Sequence, residues 1–254
     1  ADGMLVPWPF HLTNLVLHCG TGVVVYLILR RLIDSRPAAL GGALLFSLHP
    51  LQAESVAWVT ETRGLLAALF GMLAIWLYLV FVQQAAEVRR RWPYLVATVC
   101  FLLAILSKPS AAAVPLMAGL FSVGLLRRSW KRSALELVPW LAVAGMVAVA
   151  TKTQQGQEYL TFEIPWLSRP WVAVDALGFY VEKLVLPSGL AIDYQRNPQW
   201  VIENGGFLLA GLAVAVLFLA ALLPQRRIWL VAIGLFIAGA LPTLGLVSFS
   251  FKSH

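Results

Sequence analysis

Residues 49–63 read HPLQAESVAWVTETR, a polar and aromatic stretch that separates two long apolar runs. Pro50 is expected to end the helix before it, because proline donates no backbone N–H and disfavours helical geometry at His49. The stretch holds one imidazole, two carboxylates, one guanidinium and one indole. Such groups are costly at a membrane boundary unless they are paired or face water or a substrate. We therefore predict that this stretch, called the polar loop below, forms one wall of a membrane-facing active site.

The composition around the polar loop is that of a membrane protein. Of the 254 residues, 60% are hydrophobic and only 12% are charged, with a mean hydropathy of +0.80, whereas a soluble domain carries about 25% charged residues. Several apolar runs can cross roughly 30 Å of hydrocarbon as helices, and they lack the alternation of membrane-barrel strands. The predicted fold class is all-α, a polytopic helical protein in a lipid bilayer. The arginines form short clusters between apolar runs, so no nucleic-acid partner is expected.

About eight transmembrane helices are expected, together with one interfacial helix over 172–187 in a long outer section, 152–205. The charged residues of 172–187 favour an interfacial position for that helix. The whole of 1–254 is predicted to form a single transmembrane domain. The two cysteines fall inside apolar runs, which favours buried small side chains over a disulfide or a metal site. The predicted spans are 12–32, 38–49, 63–83, 93–107, 111–126, 134–151, 206–223 and 228–246.

The distribution of basic residues predicts the orientation in the membrane. Loops 33–37, 87–92, 127–133 and 224–227, with the adjacent helix ends, hold 12 of the 19 basic residues and 3 of the 12 acidic residues. Cytoplasmic loops carry an excess of lysine and arginine, so we place these loops in the cytoplasm. The polar loop, the section 152–205 and most acidic residues then lie on the other face, where any chemistry is expected.

Four residues in or near the polar loop are candidates for chemistry. Glu54 and His49 are the predicted catalytic groups, because a carboxylate in this position can act as a base, a metal ligand or a hydrogen-bond anchor. The alternative for Glu54 is a salt bridge to Arg63 that holds the loop together. Arg63 and Lys108 are predicted to bind a substrate phosphate, since cationic side chains fit phosphate oxygens. The alternative for both is a cation anchored at the membrane surface.

Polar residues in two other segments are candidates for substrate binding. His11, Asn14 and His18 are spaced i, i+3 and i+7, which places them on one face of the first span. This stripe is predicted to line a substrate cavity or to form a structural hydrogen-bond seam, with a metal site as a weaker alternative. Asp193 and Tyr194, in the outer section, either reach a polar substrate or are solvated. The chain contains no phosphate-binding glycine loop, CxxC, HExxH or GxSxG motif.

Four segments in order along the chain resemble motifs of a known family. PFHLTNLVLH, at 9–18, is similar to the second transmembrane helix of the membrane-embedded O-mannosyltransferase-like proteins that carry tetratricopeptide repeats. Residues 106–115 and 180–194 resemble that family's later motifs, LxKP…P and Y…K…PxxLxxDY. The polar loop resembles the family's loop motif at His49, Pro50, Glu54, Val56, Ala57, Trp58 and Arg63.

The resemblance implies a GT-C type glycosyltransferase fold. Such an enzyme takes a sugar from a polyprenyl-phosphate or dolichyl-phosphate carrier and attaches it to an acceptor, here expected to be a protein hydroxyl, on the non-cytoplasmic side. The resemblance also implies that Arg63 and Lys108 hold the lipid phosphate and that an acidic residue assists attack by the acceptor hydroxyl. A divalent metal cofactor is left open. The expected location is a bacterial inner membrane, with the site facing the periplasm.

The sequence departs from the family pattern in three respects. Gly64 stands where the family usually has an acidic residue after the arginine of the loop. The family's first transmembrane helix and first outer loop, which carries its principal catalytic aspartate, have no counterpart in 1–254, and neither do its repeats. We therefore expect a fragment of a longer chain. The alternative function is a non-catalytic scaffold subunit that associates with other membrane subunits, whereas a transporter is disfavoured because the spans show no inverted repeat.

Overall fold

The structure, a computed structural model, describes residues 7–85, 90–154, 167–191 and 222–244, together with positions 194, 199, 201, 203, 211, 214, 215 and 217–219. These residues form helices, turns and irregular connections, and no strand occurs among them. The predicted all-α fold of a membrane protein is confirmed. The chain divides into two compact units, Ala1–Ala118 and Gly119–His254. The single transmembrane domain over 1–254 stays a prediction.

Nine α-helices are described from end to end: α1 Trp8–Leu32, α2 Arg36–Leu48, α3 Gln52–Ala57, α4 Thr62–Val82, α5 Trp92–Ser107, α6 Val114–Gly119, α7 Trp130–Gln154, α8 Arg169–Val185 and α9 Arg226–Ala240. Within the part of the chain that the structure describes, four helical segments are long and apolar enough to cross a membrane, namely Trp8–Leu32, Val59–Val82, Trp130–Gln154 and Arg226–Thr243. Three further apolar segments are shorter, Arg36–Leu48, Trp92–Ser107 and Pro109–Leu125. The total of eight spans stays a prediction, since most of 206–223 lies outside the described residues.

Prolines set the ends of the helices in the first unit. Pro37 occupies the first turn of α2, where its missing N–H costs no helical hydrogen bond. Pro50 follows the end of α2 as predicted, and His49 is extended. Pro109 has the same effect after α5, where Lys108 is extended with φ −151° and ψ 125°. Both changes of direction occur at one end of the unit, beside the cavity described below.

The core of the first unit is α4, which packs between α1 and α5. Ala74 on α4 has no exposed surface, and a Cβ atom added at Gly71 would lie 3.0 Å from Val114 Cγ2. Small residues of this kind let helices approach closely in a membrane, where lipid tails give no hydrophobic driving force for association. The C-terminal ends of α1 and α4 meet, since the Gln83 amide, directly after α4, donates to the carbonyl of Arg31, in the last turn of α1, at 3.1 Å. The helices α1 and α4 therefore run parallel to each other.

In the second unit, a π-helical turn at Leu120–Leu125 packs against α9. A Cβ atom added at Gly234 of α9 would lie 3.0 Å from Leu120 Cδ2, so the absence of a side chain permits the contact. Arg227, at the start of α9, donates from Nη2 to the Val123 carbonyl at 2.9 Å and from Nε to the Gly124 carbonyl. These carbonyls end a helix and lack intrahelical partners, so Arg227 caps that end.

Three local predictions need correction. The polar loop is not a loop throughout, because it contains α3 and a 3-10 turn at Val59–Glu61. The predicted span over 111–126 is not one regular helix, since a 3-10 turn at Pro109–Ala113, α6 and the π-helical turn follow one another. Pro109 and Pro115 explain the tight start, because each removes a backbone donor from the first turn. The first span also begins earlier than expected, at Trp8.

Candidate active site

A polar cavity of about 200 Å³ lies in the first unit, where α1, α3, the start of α4 and the turn after α5 meet. It is at the end of α4 opposite Arg90 and Arg91, and the 21 residues of α4 separate the two ends by about 30 Å. The polar loop and the arginine cluster are therefore at opposite ends of the unit. The lining residues are His18, Thr21, Phe46, Gln52, Ser55, Glu61, Gly64, Leu65, Ala68, Lys108 and Ser110.

An ion pair between Glu61 and Lys108 forms part of the cavity wall. Lys108 Nζ donates to Glu61 Oε2 at 2.9 Å. The side chain of Lys108 is 43% exposed and that of Glu61 is 30% exposed. The extended backbone before Pro109 directs the lysine away from α5. Gly64 lies directly against the pair. A Cβ atom at this position would collide with Glu61 Oε2 and lie 3.3 Å from Lys108 Nζ, so the absence of a side chain leaves room for the contact.

The predicted polar stripe on α1 divides into three environments. Asn14 has no exposed surface and His18 is 6% exposed, whereas His11 is exposed near the start of the helix. His18 Nε2 lies 2.9 Å from the Ser47 carbonyl, which can only accept, so the ring nitrogen donates. His18 also lines the cavity, and Asn14 does not. The stripe thus contains both a hydrogen-bond seam and one residue of the cavity wall.

Glu54, His49 and Arg63 lie beside the cavity and are not among its lining residues. Gln52 and Ser55 are three residues apart on α3 and share its cavity face, so Glu54 between them points elsewhere. Glu54 and Arg63 are both exposed. The ion pairs of the described residues do not include one between Glu54 and Arg63. The residue of the polar loop that forms an ion pair is Glu61, and its partner is Lys108.

His49 takes part in a local turn contact, in which the Leu51 backbone N–H donates to its Nδ1 at 3.3 Å. This contact supports the turn between α2 and α3, and His49 is half-buried. The exposed Glu54 occupies the first turn of α3, where a carboxylate is favourable because the helix N-terminus is partly positive. The hydrogen bond to His49 and the helix-terminal position of Glu54 both depend on neighbouring residues. Neither feature requires that the residue take part in chemistry.

Tyr194 belongs to the second unit and lies in an aromatic cluster. Its ring meets the Phe179 ring edge-on, with 4.8 Å between centroids. Lys183 Nζ is 5.7 Å from the Tyr194 centroid and donates to the Ser188 carbonyl at 3.0 Å. Cation–π contact and the hydrogen bond hold the ammonium at the end of α8. Asp193 lies outside the described residues.

Sequence reasoning did not select Glu61, Gln52, Ser55 and Ser110, although all four line the cavity. Ser110 directly follows the predicted Lys108-Pro109 junction, which was the available signal for it. The signal for Glu61 was weaker, since Glu54 matches a family motif and Glu61 does not. Among the residues that the structure describes, no group of three or more His, Cys, Asp or Glu side chains is arranged to hold a metal ion.

Packed apolar helices long enough to cross a membrane, with a polar cavity at one end, define a multi-pass membrane protein. A family model described as dolichyl-phosphate-mannose-protein mannosyltransferase matches residues 5–152, more than half of the chain. The chain belongs to this family of GT-C type membrane proteins. The match contains the whole cavity, together with α1 to α6 and most of α7.

Individual relatives are consistent with this membership. The protein O-mannosyl-transferase Tmtc1 of Drosophila melanogaster is 33% identical over 122 residues, which are 48% of this chain and 14% of the relative. Tmtc2 of the same organism is 34% identical over 123 residues, 48% of this chain and 13% of the relative. TMTC2 of Mus musculus is 28% identical over 140 residues, 54% of this chain and 17% of the relative. The chain thus aligns with less than one fifth of each relative, and no solved structure shows significant similarity to it.

Proposed function

We propose that this chain is the membrane part of a glycosyltransferase that moves a sugar from a polyprenyl-phosphate carrier to a protein hydroxyl. The reaction takes place on the non-cytoplasmic face, and a bacterial inner membrane is the proposed location. The proposal depends on one observation, the Glu61–Lys108 pair in a polar cavity at the end of the bundle opposite the arginine cluster. Membership of a family described by dolichyl-phosphate-mannose chemistry supports the same donor class.

Lys108 is proposed to bind the phosphate of the lipid-linked sugar. Its ammonium lies at the cavity and its partner Glu61 is only partly buried, so an incoming phosphate can compete for the same donor. The apolar surfaces that the unit exposes beside the cavity, such as Leu106 at 79% and Leu48 at 75%, offer contact for a hydrocarbon tail. Arg63 is exposed in the first turn of α4 and stays a predicted second cation for the headgroup.

Glu61 is proposed to act as the general base once Lys108 has turned to the phosphate. The acceptor oxygen attacks the anomeric carbon, the bond between that carbon and the phosphate oxygen breaks, and polyprenyl phosphate leaves with the bonding electrons. The hydroxyl proton passes to the Glu61 carboxylate. General-base catalysis contributes about 10²- to 10⁴-fold in rate. Glu54 and His49 stay predicted catalytic groups, and His11, Asp193 and Tyr194 stay predicted substrate contacts.

The test is transfer of labelled mannose from polyprenyl-phosphate mannose to a protein or peptide acceptor, with the full-length protein in proteoliposomes. Glu61→Gln is expected to lower the rate by at least about 100-fold, as loss of a general base does. Lys108→Gln is expected to raise KM for the lipid-linked sugar. Lys131→Gln is the matched control, because Lys131 is an exposed lysine beside Trp130 in the second unit.

A comparison within the polar loop separates the two carboxylates. Glu54→Gln leaves the cavity wall unchanged and is expected to retain most of the activity if Glu61 is the base. Loss of activity in Glu54→Gln with retention in Glu61→Gln would reverse the assignment. A wild-type protein that transfers no sugar but purifies stably with other membrane subunits would support the scaffold alternative and contradict the enzymatic proposal.

A further inference from the structure

Asn14 connects three elements around the cavity without lining it. Its side chain has no exposed surface. Asn14 Nδ2 donates to the Trp58 carbonyl at 2.9 Å and to the Val56 carbonyl at 3.3 Å, while Oδ1 accepts from Thr62 Oγ1 at 2.7 Å. One buried amide on α1 therefore contacts the end of α3 and the first residue of α4.

The chemistry of the partners determines the orientation of the amide. Carbonyl oxygens accept hydrogen bonds only, so the nitrogen of Asn14 must face Val56 and Trp58. The Thr62 hydroxyl can donate, and it lies 2.8 Å from the Val59 carbonyl as well as 2.7 Å from Asn14 Oδ1. An amide is the side chain that supplies a donor and an acceptor on two sides of one buried position. A carboxylate in the same place would bring an oxygen against two carbonyl oxygens.

These bonds fix the separation between two walls of the cavity. The Asn14 amide donates to the Val56 carbonyl in the last turn of α3 and to the carbonyl of Trp58, the residue after α3. The Trp58 carbonyl also accepts from the Glu61 backbone N–H at 3.1 Å, so the amide contacts the turn that carries Glu61. Gln52 and Ser55 line the cavity from α3, and Glu61 lines it from the turn that leads into Thr62. We propose that Asn14 is a positioning residue for the transfer reaction, because it holds these two walls at one spacing. This inference depends on the proposed function of the cavity.

The kinetic test compares four variants of the full-length protein in proteoliposomes. Asn14→Asp and Thr62→Val are expected to lower kcat by about 10- to 100-fold, as a misplacement near 1 Å does, with KM for polyprenyl-phosphate mannose changed less than about threefold. Thr62→Ser keeps the hydroxyl and is expected to restore the wild-type kcat. Thr13→Val is the matched control, since the exposed Thr13 hydroxyl donates only to the Pro9 carbonyl of its own helix.

A second measurement reports the distance between the α3 and α4 walls of the cavity and does not depend on enzymatic activity. Ser55→Cys on α3 and Ala68→Cys on α4, both at the cavity wall, are introduced together after both native cysteines are replaced by alanine, and a short bifunctional maleimide is applied to the folded protein. The crosslinked fraction is expected to fall several-fold when Asn14→Asp is added and to stay unchanged with Thr13→Val. Failure of the proposed function would appear as no transfer by the wild-type protein, while the crosslinking difference would persist.

Three outcomes would overturn the positioning role. One is an Asn14→Asp protein that keeps both the wild-type kcat and the wild-type crosslinked fraction. Another is a Thr62→Ser protein as impaired as Thr62→Val, because the hydroxyl would then not be the required group. The third is a variant whose thermal midpoint falls while kcat and crosslinking stay at wild-type values, which would assign Asn14 to stability alone.

Discussion

Lys108 Nζ and Glu61 Oε2 lie 2.9 Å apart although 47 residues separate them in the sequence. The contact joins the turn after α5 to the turn before α4, and it places opposite charges at the mouth of one cavity. An exposed ion pair contributes about 0–1 kcal/mol to stability, so the pair has a small structural effect. Its position beside Gln52 and Ser55 in the cavity wall is the reason for proposing that the pair binds a polar ligand.

The modest stability of this pair gives a first prediction. Lys108→Gln and Glu61→Gln are expected to change the free energy of unfolding by less than about 1 kcal/mol each, because both side chains are partly exposed. Thermal midpoints of the detergent-solubilised variants measure this, and sugar transfer is measured on the same preparations. A large loss of thermal stability that accounts for the lost transfer would contradict a functional role for the pair.

Gly64→Ala is expected to separate the pair without changing either charge. The added Cβ would collide with Glu61 Oε2 and approach Lys108 Nζ to 3.3 Å, so the carboxylate must move. We expect transfer to fall at least as far as it does in Lys108→Gln. Gly41→Ala is the control, since no atom lies within 4 Å of a Cβ at that glycine and alanine favours the helix by up to about 1 kcal/mol. Equal activity of the two alanine variants would show that the cavity tolerates the shift.

Ser122 and Ser133 form a buried hydroxyl pair in the second unit, with 2.8 Å between their oxygens. Ser133→Ala removes one partner and leaves a hydroxyl in a site with no exposed surface, which costs about 1–3 kcal/mol. The double variant with Ser122→Ala is expected to be less destabilised than the sum of the two single variants. A double-mutant cycle on thermal unfolding measures this coupling, and strict additivity would show that the hydroxyls do not interact.

Arg226 and Arg227 count equally as topology signals, but the structure gives them different contacts. Arg227 donates to the Val123 and Gly124 carbonyls. We expect Arg227→Ala to destabilise the protein by about 1 kcal/mol and Arg226→Ala to have a smaller effect. Cysteine accessibility of the nearby loop from each side of the membrane provides a separate readout, in which both variants should behave alike. Equal destabilisation by the two substitutions would contradict the capping role.

The sequence was sufficient to predict features that depend on local rules. Pro50 and Pro109 fix two helix ends, and the apolar runs fix the helical class, because each effect acts within a few residues. Local rules could not predict which of Glu54 and Glu61 lines the cavity. The answer depends on α3, a helix of six residues that turns Glu54 away from Gln52 and Ser55, and short helices have little signal of their own.

The partner of Lys108 was equally beyond local reasoning. The position of the lysine before Pro109 indicates a substrate contact, but its neighbour depends on how α4 packs against α5. The same holds for Asn14, which was grouped with His11 and His18 by spacing alone. Spacing places residues on one face of a helix and does not say which of them meets a backbone, a cavity or the surrounding medium.

The length of α2 has a consequence for the lipid around the cavity. With 13 residues, α2 extends about 20 Å, whereas a typical hydrocarbon core measures about 30 Å. The helix ends beside His18, ten residues after the start of α1. A short hydrophobic flank draws the headgroup region inward through local bilayer thinning. We expect this local thinning to place the phosphates of one leaflet at the same depth in the membrane as Lys108. A lipid-linked ligand could then reach the cavity without leaving its leaflet.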